Sequence, residues 1–108
     1  MAGPRYEGVS ADVTRSDDEN GTPIIVIGGE IDLSNADQVQ TKVDELVDEG
    51  AHRVIFDLGS LSFIDSSGIA VLVRTHNRVG TVEIRQATPM VHRILEVTGL
   101  RDTFGMDD

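Results

Sequence analysis

The chain has 108 residues, which suits one domain with a single core, and it contains no cysteine, which excludes disulfides and thiolate metal sites. Nine basic and nineteen acidic side chains give a formal net charge of -10. This charge repels the phosphates of nucleic acid and of anionic lipid, so we expect neither as a partner. No apolar run approaches the ~20 residues of a membrane-spanning helix, and the first residues lack the apolar core of a signal peptide, so we expect a cytoplasmic protein.

The chain is predicted to open with a β-hairpin over residues 9–27. Apolar and polar residues alternate over 9–13, as in a strand with one covered face. A polar, glycine-containing turn follows over 17–22. The continuous apolar run at 24–27 is typical of a strand that is covered on both faces.

A first helix is predicted between Ser34 and Gly50. Ser34 is a candidate N-cap, with Asp37 three positions later as in a capping box, and Gly50 suits the C-terminal cap. Between them, apolar side chains at helical spacing form one stripe. The stripe consists of Ala36, Val39, Val43, Leu46 and Val47.

The middle of the chain places a strand, a turn and a helix start around two hydroxyl groups. The β-branched and aromatic run 54–56 predicts a buried strand. Asp65, Ser66 and Ser67 are residue types that accept hydrogen bonds from the free N–H groups of a first helical turn, so we expect a helix to begin at Asp65 or Ser66. A phosphate there would gain ~0.3 to 1 kcal/mol from the helix dipole and would meet unpaired N–H donors. A helical stripe follows, made of Ile69, Leu72, Val73 and His76.

The last third of the chain is predicted to form a strand and a helix. After Gly80, residues 82–85 alternate as a short strand. Thr88 caps a helix that has Pro89 at its first position and ends at Gly99, after which the chain folds back on the core. Strands interleaved with helices after an opening hairpin indicate parallel crossovers within a mixed sheet.

A serine at a strand-to-helix turn also raises the possibility of a hydrolase. The nucleophile elbow has the pattern Gly-x-Ser-x-Gly, and Ile64 replaces its first glycine here. No histidine partner is evident, and no glycine-rich loop with a lysine is present to cradle phosphates. His52, His76 and His92 match no zinc-binding spacing. We therefore expect no catalysis by this chain, no metal and no cofactor.

Three segments carry a resemblance to a known family. Ile64-Asp65-Ser66-Ser67-Gly68, between the strand residues 54–58 and the helical residues 71–73, resembles the signature of the STAS domain, specifically that of the bacterial anti-sigma-factor antagonists. Residues 29–34 resemble the family's loop before its first helix, and 89–100 resemble its third helix and the following turn. The resemblance implies one α/β STAS domain over 1–108, with a core of about 8–104 and a mixed β-sheet of about four to five strands with α-helices packed on it.

The resemblance also implies a function. In the family, the first serine of the motif is phosphorylated by the anti-sigma factor, a serine kinase with a histidine-kinase-like ATP site, and that serine matches Ser66. The unphosphorylated antagonist binds the anti-sigma factor and frees the sigma factor. The phosphorylated form is released, and a PP2C-type phosphatase restores it. A STAS scaffold, either in a larger stressosome-like signalling assembly or associated with a transporter, is the alternative.

The neighbours of Ser66 have two interpretations each. Ser67 lies in the same helical turn and is the rival phosphate acceptor, or else a buried first-turn residue. Asp65 orients or activates the serine, or it is a plain cap. Asp32 resembles an acidic residue that lies near the switch serine in the family, whereas the residues alone indicate a turn aspartate after a strand.

The residues after the serine pair bear on access to the phosphate acceptor. A side chain at Gly68 would crowd a kinase or phosphatase approaching Ser66, and local packing is the alternative reason for a glycine. Ile69 and Ala70 stand where the family often has Leu-Gly, which adds a methyl group near the recognition surface. The identity of the partner therefore stays open.

Overall fold

A computed structural model describes residues 10–106 as a mixed α/β domain, so the expected fold class is confirmed. Val9, assigned to the opening hairpin, lies outside the described residues. The elements in chain order are β1 (Ala11–Asp17), β2 (Pro23–Ile31), α1 (Ala36–Leu46), β3 (Val54–Asp57), β4 (Leu61–Ile64), α2 (Ser66–Val79), β5 (Val82–Arg85), α3 (Pro89–Val97), a 3-10 turn (Leu100–Asp102) and β6 (Gly105–Met106).

The sheet has six strands in the described part of the chain, in the order β1-β2-β3-β5-β6, with β4 also paired to β2. The β1–β2 hairpin is antiparallel and the other pairings are parallel, as the alternation of strands and helices predicted. β2 has nine residues, so one edge of this strand is long enough to pair with two other strands. Its residues 24–26 pair with β3, and its residues 29–31 pair with β4.

Two short strands, β4 and β6, were not predicted from the sequence. β4 has four residues with only its ends buried, and β6 has two residues. Neither segment shows the period-two alternation that marks a strand. Both form because the fold brings a partner edge beside them, which is a tertiary effect.

One hydrophobic core joins the sheet to the helices. Phe104 is 2% exposed and Leu100 packs against the same cluster, so the expected return of the C-terminal segment onto the core is confirmed. Each fully buried large apolar side chain contributes ~1.5 to 3 kcal/mol of transfer free energy. The largest of them include Phe56, Phe104, Ile25, Ile27, Ile31, Leu58, Leu61, Ile64, Leu72 and Leu95.

The start of α1 differs from the prediction. The helix begins at Ala36 with Asn35 as the N-cap residue, so the prediction of Ser34 as the cap is wrong. The Ser34 N–H and hydroxyl both donate to Asp32 Oδ1, at 2.8 and 2.6 Å. Ser34 is thereby held in an aspartate turn, which competes with helix capping for the same kind of side chain.

The end of α1 also differs from the prediction. The helix ends at Leu46, and the glycine at position 50, with φ 87°, lies in the turn beyond it. Arg15 donates to the Leu46 carbonyl at 2.8 Å, and Arg78 donates to the Val47 carbonyl at 3.4 Å. The two arginines supply the donors that a C-terminal glycine motif would otherwise provide.

The other two helices begin as predicted. α2 starts at Ser66 with Asp65 as its N-cap, and α3 starts at Pro89 with Thr88 as its N-cap. The Thr88 hydroxyl accepts from the Val91 N–H at 3.4 Å. Over residues 10–106 there is no helix that combines the length and the apolar character needed to cross a bilayer.

Candidate functional site

The two loops expected to form the site leave the sheet side by side. Ile31 and Ile64 are register partners at the ends of the parallel strands β2 and β4. The chain continues from them into Asp32 and Asp65, and the Asp65 N–H donates to the Ile31 carbonyl at 3.2 Å. Pairing of β4 with β2 therefore places the start of α2 next to the loop that precedes α1.

The carboxylate of Asp65 caps the first turn of α2. Its Oδ1 accepts from the N–H of Ser67 at 2.8 Å and from the N–H of Gly68 at 3.3 Å. The sequence predicted N–H donors that would be open to a phosphate, but these two are already bonded to a negative group. Asp65 is thus a capping residue, whose oxygen satisfies donors that a helix start leaves unpaired.

The two serines of the motif differ in exposure. Ser66 is exposed, and its hydroxyl makes no hydrogen bond to any other residue within 10–106. Ser67 is half-buried, which leaves its hydroxyl less open to an approaching enzyme. Access therefore favours Ser66 over its rival as a site of modification.

Asp32 has a structural role in its own turn. Its carboxylate accepts two hydrogen bonds from Ser34, and its main-chain carbonyl accepts from the Ala36 N–H at 2.9 Å. The Asp32 N–H in turn donates to the Asn35 side chain at 3.0 Å. These contacts match the turn-aspartate interpretation and fix the course of the loop that faces the serines.

Packing accounts for the glycine of the motif. Gly68 is buried, and a Cβ atom there would lie 2.4 Å from Ile64 Cγ1 and 3.0 Å from Ile31 Cγ2. Ile69, which the sequence assigned to the neighbourhood of the switch serine, has its side chain buried in the core. Its half-buried neighbour Ala70 reaches the surface beside the serines instead.

A shallow groove of about 270 Å³ runs between the two loops and along α2, and we call it the serine groove. Two residues that line the groove were not predicted from the sequence. They are Leu33, which is 82% exposed, and Arg74 on α2. Helical spacing from Ser66 would have placed Arg74 on the same face, but no local pattern marks Leu33. The groove is lined by Leu33, Ala36, Asp37, Ser66, Ser67, Ala70 and Arg74.

The chemistry of the serine groove is that of a recognition surface. It offers one open hydroxyl, one exposed leucine and one side chain of each charge. No histidine lines it, and His76 packs edge-on against Phe104 with ring centroids 5.8 Å apart. Across residues 10–106, no three His, Asp or Glu side chains converge in a way that would hold a metal ion.

Sequence comparisons relate most of the chain to one family. A model of the STAS domain matches residues 13–108. The putative anti-sigma factor antagonist BtrV of Bordetella bronchiseptica is 28% identical over 89 residues, which cover 79% of this chain and 77% of that protein. The anti-sigma-B factor antagonist of Bacillus subtilis is 32% identical over 80 residues, which cover 70% of this chain and 72% of that protein.

Structural comparisons show the same fold. An anti-sigma factor antagonist from Mycobacterium paratuberculosis superposes with a TM-score of 0.80 at 24% identity, over 90% of this chain and 85% of that chain. The anti-sigma factor antagonist SpoIIAA in its unphosphorylated form superposes with a TM-score of 0.70 at 19% identity, over 90% and 89% of the two chains. The family model, the relatives and the shared fold agree with the resemblance of the three sequence segments. The chain belongs to the STAS domain family.

Proposed function

We propose that the protein is an anti-sigma-factor antagonist, whose binding to an anti-sigma factor is switched off by phosphorylation of Ser66. The observation that carries the proposal is the exposed Ser66 hydroxyl at the start of α2, beside a groove with an exposed leucine. The names of the relatives support the antagonist role. The partner is an anti-sigma factor that is also a serine kinase with a histidine-kinase-like ATP site, and a PP2C-type phosphatase reverses the modification.

The division of labour follows from what the groove contains. The phosphoryl group passes from ATP on the partner to the Ser66 oxygen, and the hydroxyl proton passes to a base of the partner. Asp65 Oδ1 accepts the N–H groups of Ser67 and Gly68, which gives this carboxylate a capping role. In this proposal the chain presents the acceptor, and the partner supplies the nucleotide and the catalytic groups.

The switch needs no refolding of the domain. A phosphate adds about -1.5 to -2 charges at a position that is already solvent-exposed. Within an interface, this charge would repel acidic neighbours and would require new donors from the partner. Each 1.4 kcal/mol of such a penalty weakens binding about tenfold, so release follows from a local change.

The test is intact-mass analysis and peptide mapping after incubation with ATP and the anti-sigma kinase encoded nearest to this protein. We expect one added phosphate on the wild type and on Ser67→Ala, mapped to Ser66, and none on Ser66→Ala. Ser66→Ala should stay folded and should keep its complex with the kinase in the presence of ATP. Phosphate on Ser66→Ala would refute the assignment, and a stable complex without any phosphate on the wild type would favour the STAS scaffold alternative.

A further inference from the structure

A phosphate on Ser66 would be attracted to nearby positive charge, and the start of α2 is poorly suited to supply it. Asp65 Oδ1 already occupies the N–H groups of Ser67 and Gly68, at 2.8 and 3.3 Å. To use these donors, the phosphate would have to displace a carboxylate of the same sign of charge. Like charges at such short range repel, so the phosphate is directed away from the helix terminus.

Arg74 is the cation that shares the serine groove with Ser66. It is exposed and takes part in no ion pair or hydrogen bond that involves its side chain within residues 10–106. The two other basic side chains without an ion pair in that range, Lys42 and Arg93, lie outside this groove. The arginines held in ion pairs are Arg15, Arg53, Arg78, Arg85 and Arg101.

The spacing along α2 puts Arg74 within reach of the acceptor. Ser66, Ala70 and Arg74 follow one another at intervals of four residues, so they lie on successive turns of one helix face. The rise from Ser66 to Arg74 is about 12 Å. Helix side chains lean toward the N-terminus, so the long arginine side chain can extend back over the small Ala70 toward Ser66, where a phosphate ester would project toward it.

We propose that the phosphate on Ser66 forms an ion pair with Arg74 across Ala70, which removes this guanidinium from the surface presented to the partner. The inference rests on the proposed function, because it requires a phosphate on Ser66. Guanidinium and phosphate form charge-assisted, often bidentate hydrogen bonds. Phosphorylation then changes the surface twice, since it adds a dianion and also occupies a cation that the unphosphorylated form leaves open.

The experiment uses the full chain with phosphoserine incorporated at position 66 during translation, so that no kinase is needed. Phosphorus-31 NMR follows the second ionisation of the phosphate against pH in the parent, in Arg74→Gln and in Arg93→Gln, a matched control in which an exposed arginine outside the groove loses its charge. A nearby guanidinium favours the dianion, so Arg74→Gln should raise the pKa of the phosphate by ~0.5 to 1. Arg93→Gln should leave that pKa unchanged, and added salt should shrink the difference.

An equal phosphate pKa in the parent and in Arg74→Gln would overturn the ion pair. If that pKa also falls in Asp65→Asn, the phosphate would instead be placed at the helix N–H groups. The NMR result does not depend on the kinase, so failure of the kinase to modify Ser66 would refute the proposed acceptor separately. Arg74→Lys, which keeps the charge, should stay closer to the parent than Arg74→Gln.

Discussion

At the scale of single residues, exposure separates the side chains that build the domain from those that face the solvent. Gly68 and Ile69 are buried and Asp32 and Asp65 are engaged in turns, whereas the Ser66 hydroxyl is open. Four of these five residues therefore shape the site from within. The polar and apolar groups open to another molecule in the groove are those of Ser66, Leu33 and Arg74.

Leu33 gives the first prediction at this scale. It is 82% exposed in the serine groove, and full burial of a leucine side chain in an interface contributes about 1.5 to 3 kcal/mol of transfer free energy. We expect Leu33→Ala to weaken the complex with the anti-sigma factor by about 1 to 2 kcal/mol, as measured by calorimetry, with the free energy of unfolding unchanged. The control is Val97→Ala, which shortens a different exposed apolar side chain, at the end of α3, and should bind normally. Equal binding by both variants would exclude Leu33 from the interface.

At the scale of elements, the close contact between α2 and the strands below it depends on Gly68. A methyl group at this position would meet Ile64 Cγ1 at 2.4 Å. This atom has little freedom to move, because χ1 of a β-branched side chain is restricted. We expect Gly68→Ala to lower the free energy of unfolding by about 1 to 3 kcal/mol in urea titrations. An unchanged midpoint of urea unfolding would show that β4 and α2 can move apart enough to accommodate the methyl group.

The control for Gly68→Ala is Gly21→Ala in the β1–β2 turn. Gly21 has φ 81°, and a Cβ atom there would meet no atom within 4 Å. Gly21→Ala should therefore lower the free energy of unfolding only through the left-handed backbone conformation, which costs about 1 to 2 kcal/mol for a residue with a side chain. Weaker binding of the anti-sigma factor should accompany Gly68→Ala alone, because Gly21 lies in a different part of the fold from the serine groove.

The same hairpin turn carries a pH-dependent contribution to stability. The Asp18 carboxylate accepts the N–H groups of Thr22 at 2.9 Å and of Asn20 at 2.8 Å. The bond from Thr22 is the larger cause, and together they hold the Asp18 pKa below its ordinary value of 3.8. Because the folded-state pKa is depressed, the stabilisation is present above pH 3.8 and is lost as the pH falls toward the folded value.

The corresponding measurement is the free energy of unfolding of wild type and Asp18→Ala between about pH 3 and pH 7. The wild type should be more stable at neutral pH, and the difference should shrink on acidification below about pH 4. Glu19→Ala, one residue further along the turn, is the control for loss of one negative charge. A difference that stays constant with pH would mean that these hydrogen bonds do not depend on the ionised carboxylate.

At the scale of the whole molecule, the net charge of -10 is large for 108 residues. A field of this strength accelerates encounter with a basic surface and slows encounter with an acidic one. We predict that the association rate constant with the anti-sigma factor falls as salt increases from about 50 to 500 mM, because the Debye length shortens. Stopped-flow measurements on the wild type and on Glu45→Gln/Glu49→Gln, which removes one charge from α1 and one from the turn after it, check this. Rate constants that are independent of salt and charge would mean that the negative net charge contributes to solubility and not to association.

The sequence by itself determined the elements whose signals are local. Caps and helix formers follow one another directly around Asp65 and Thr88, so the starts of α2 and α3 were predicted correctly. The motif around Ser66 also identified the family. These features depend on neighbouring residues, whose side chains interact with the backbone of the same turn in any fold that contains them.

The tertiary structure decided the features that need distant partners. The end of α1 depends on Arg15 and Arg78, which approach it from β1 and α2, and β4 exists because the long β2 has a free edge segment. The serine groove likewise joins Leu33 to Arg74, which no sequence spacing connects. Hydrogen bonds and contacts between segments form only after the core has brought those segments together, and local patterns carry no record of that arrangement.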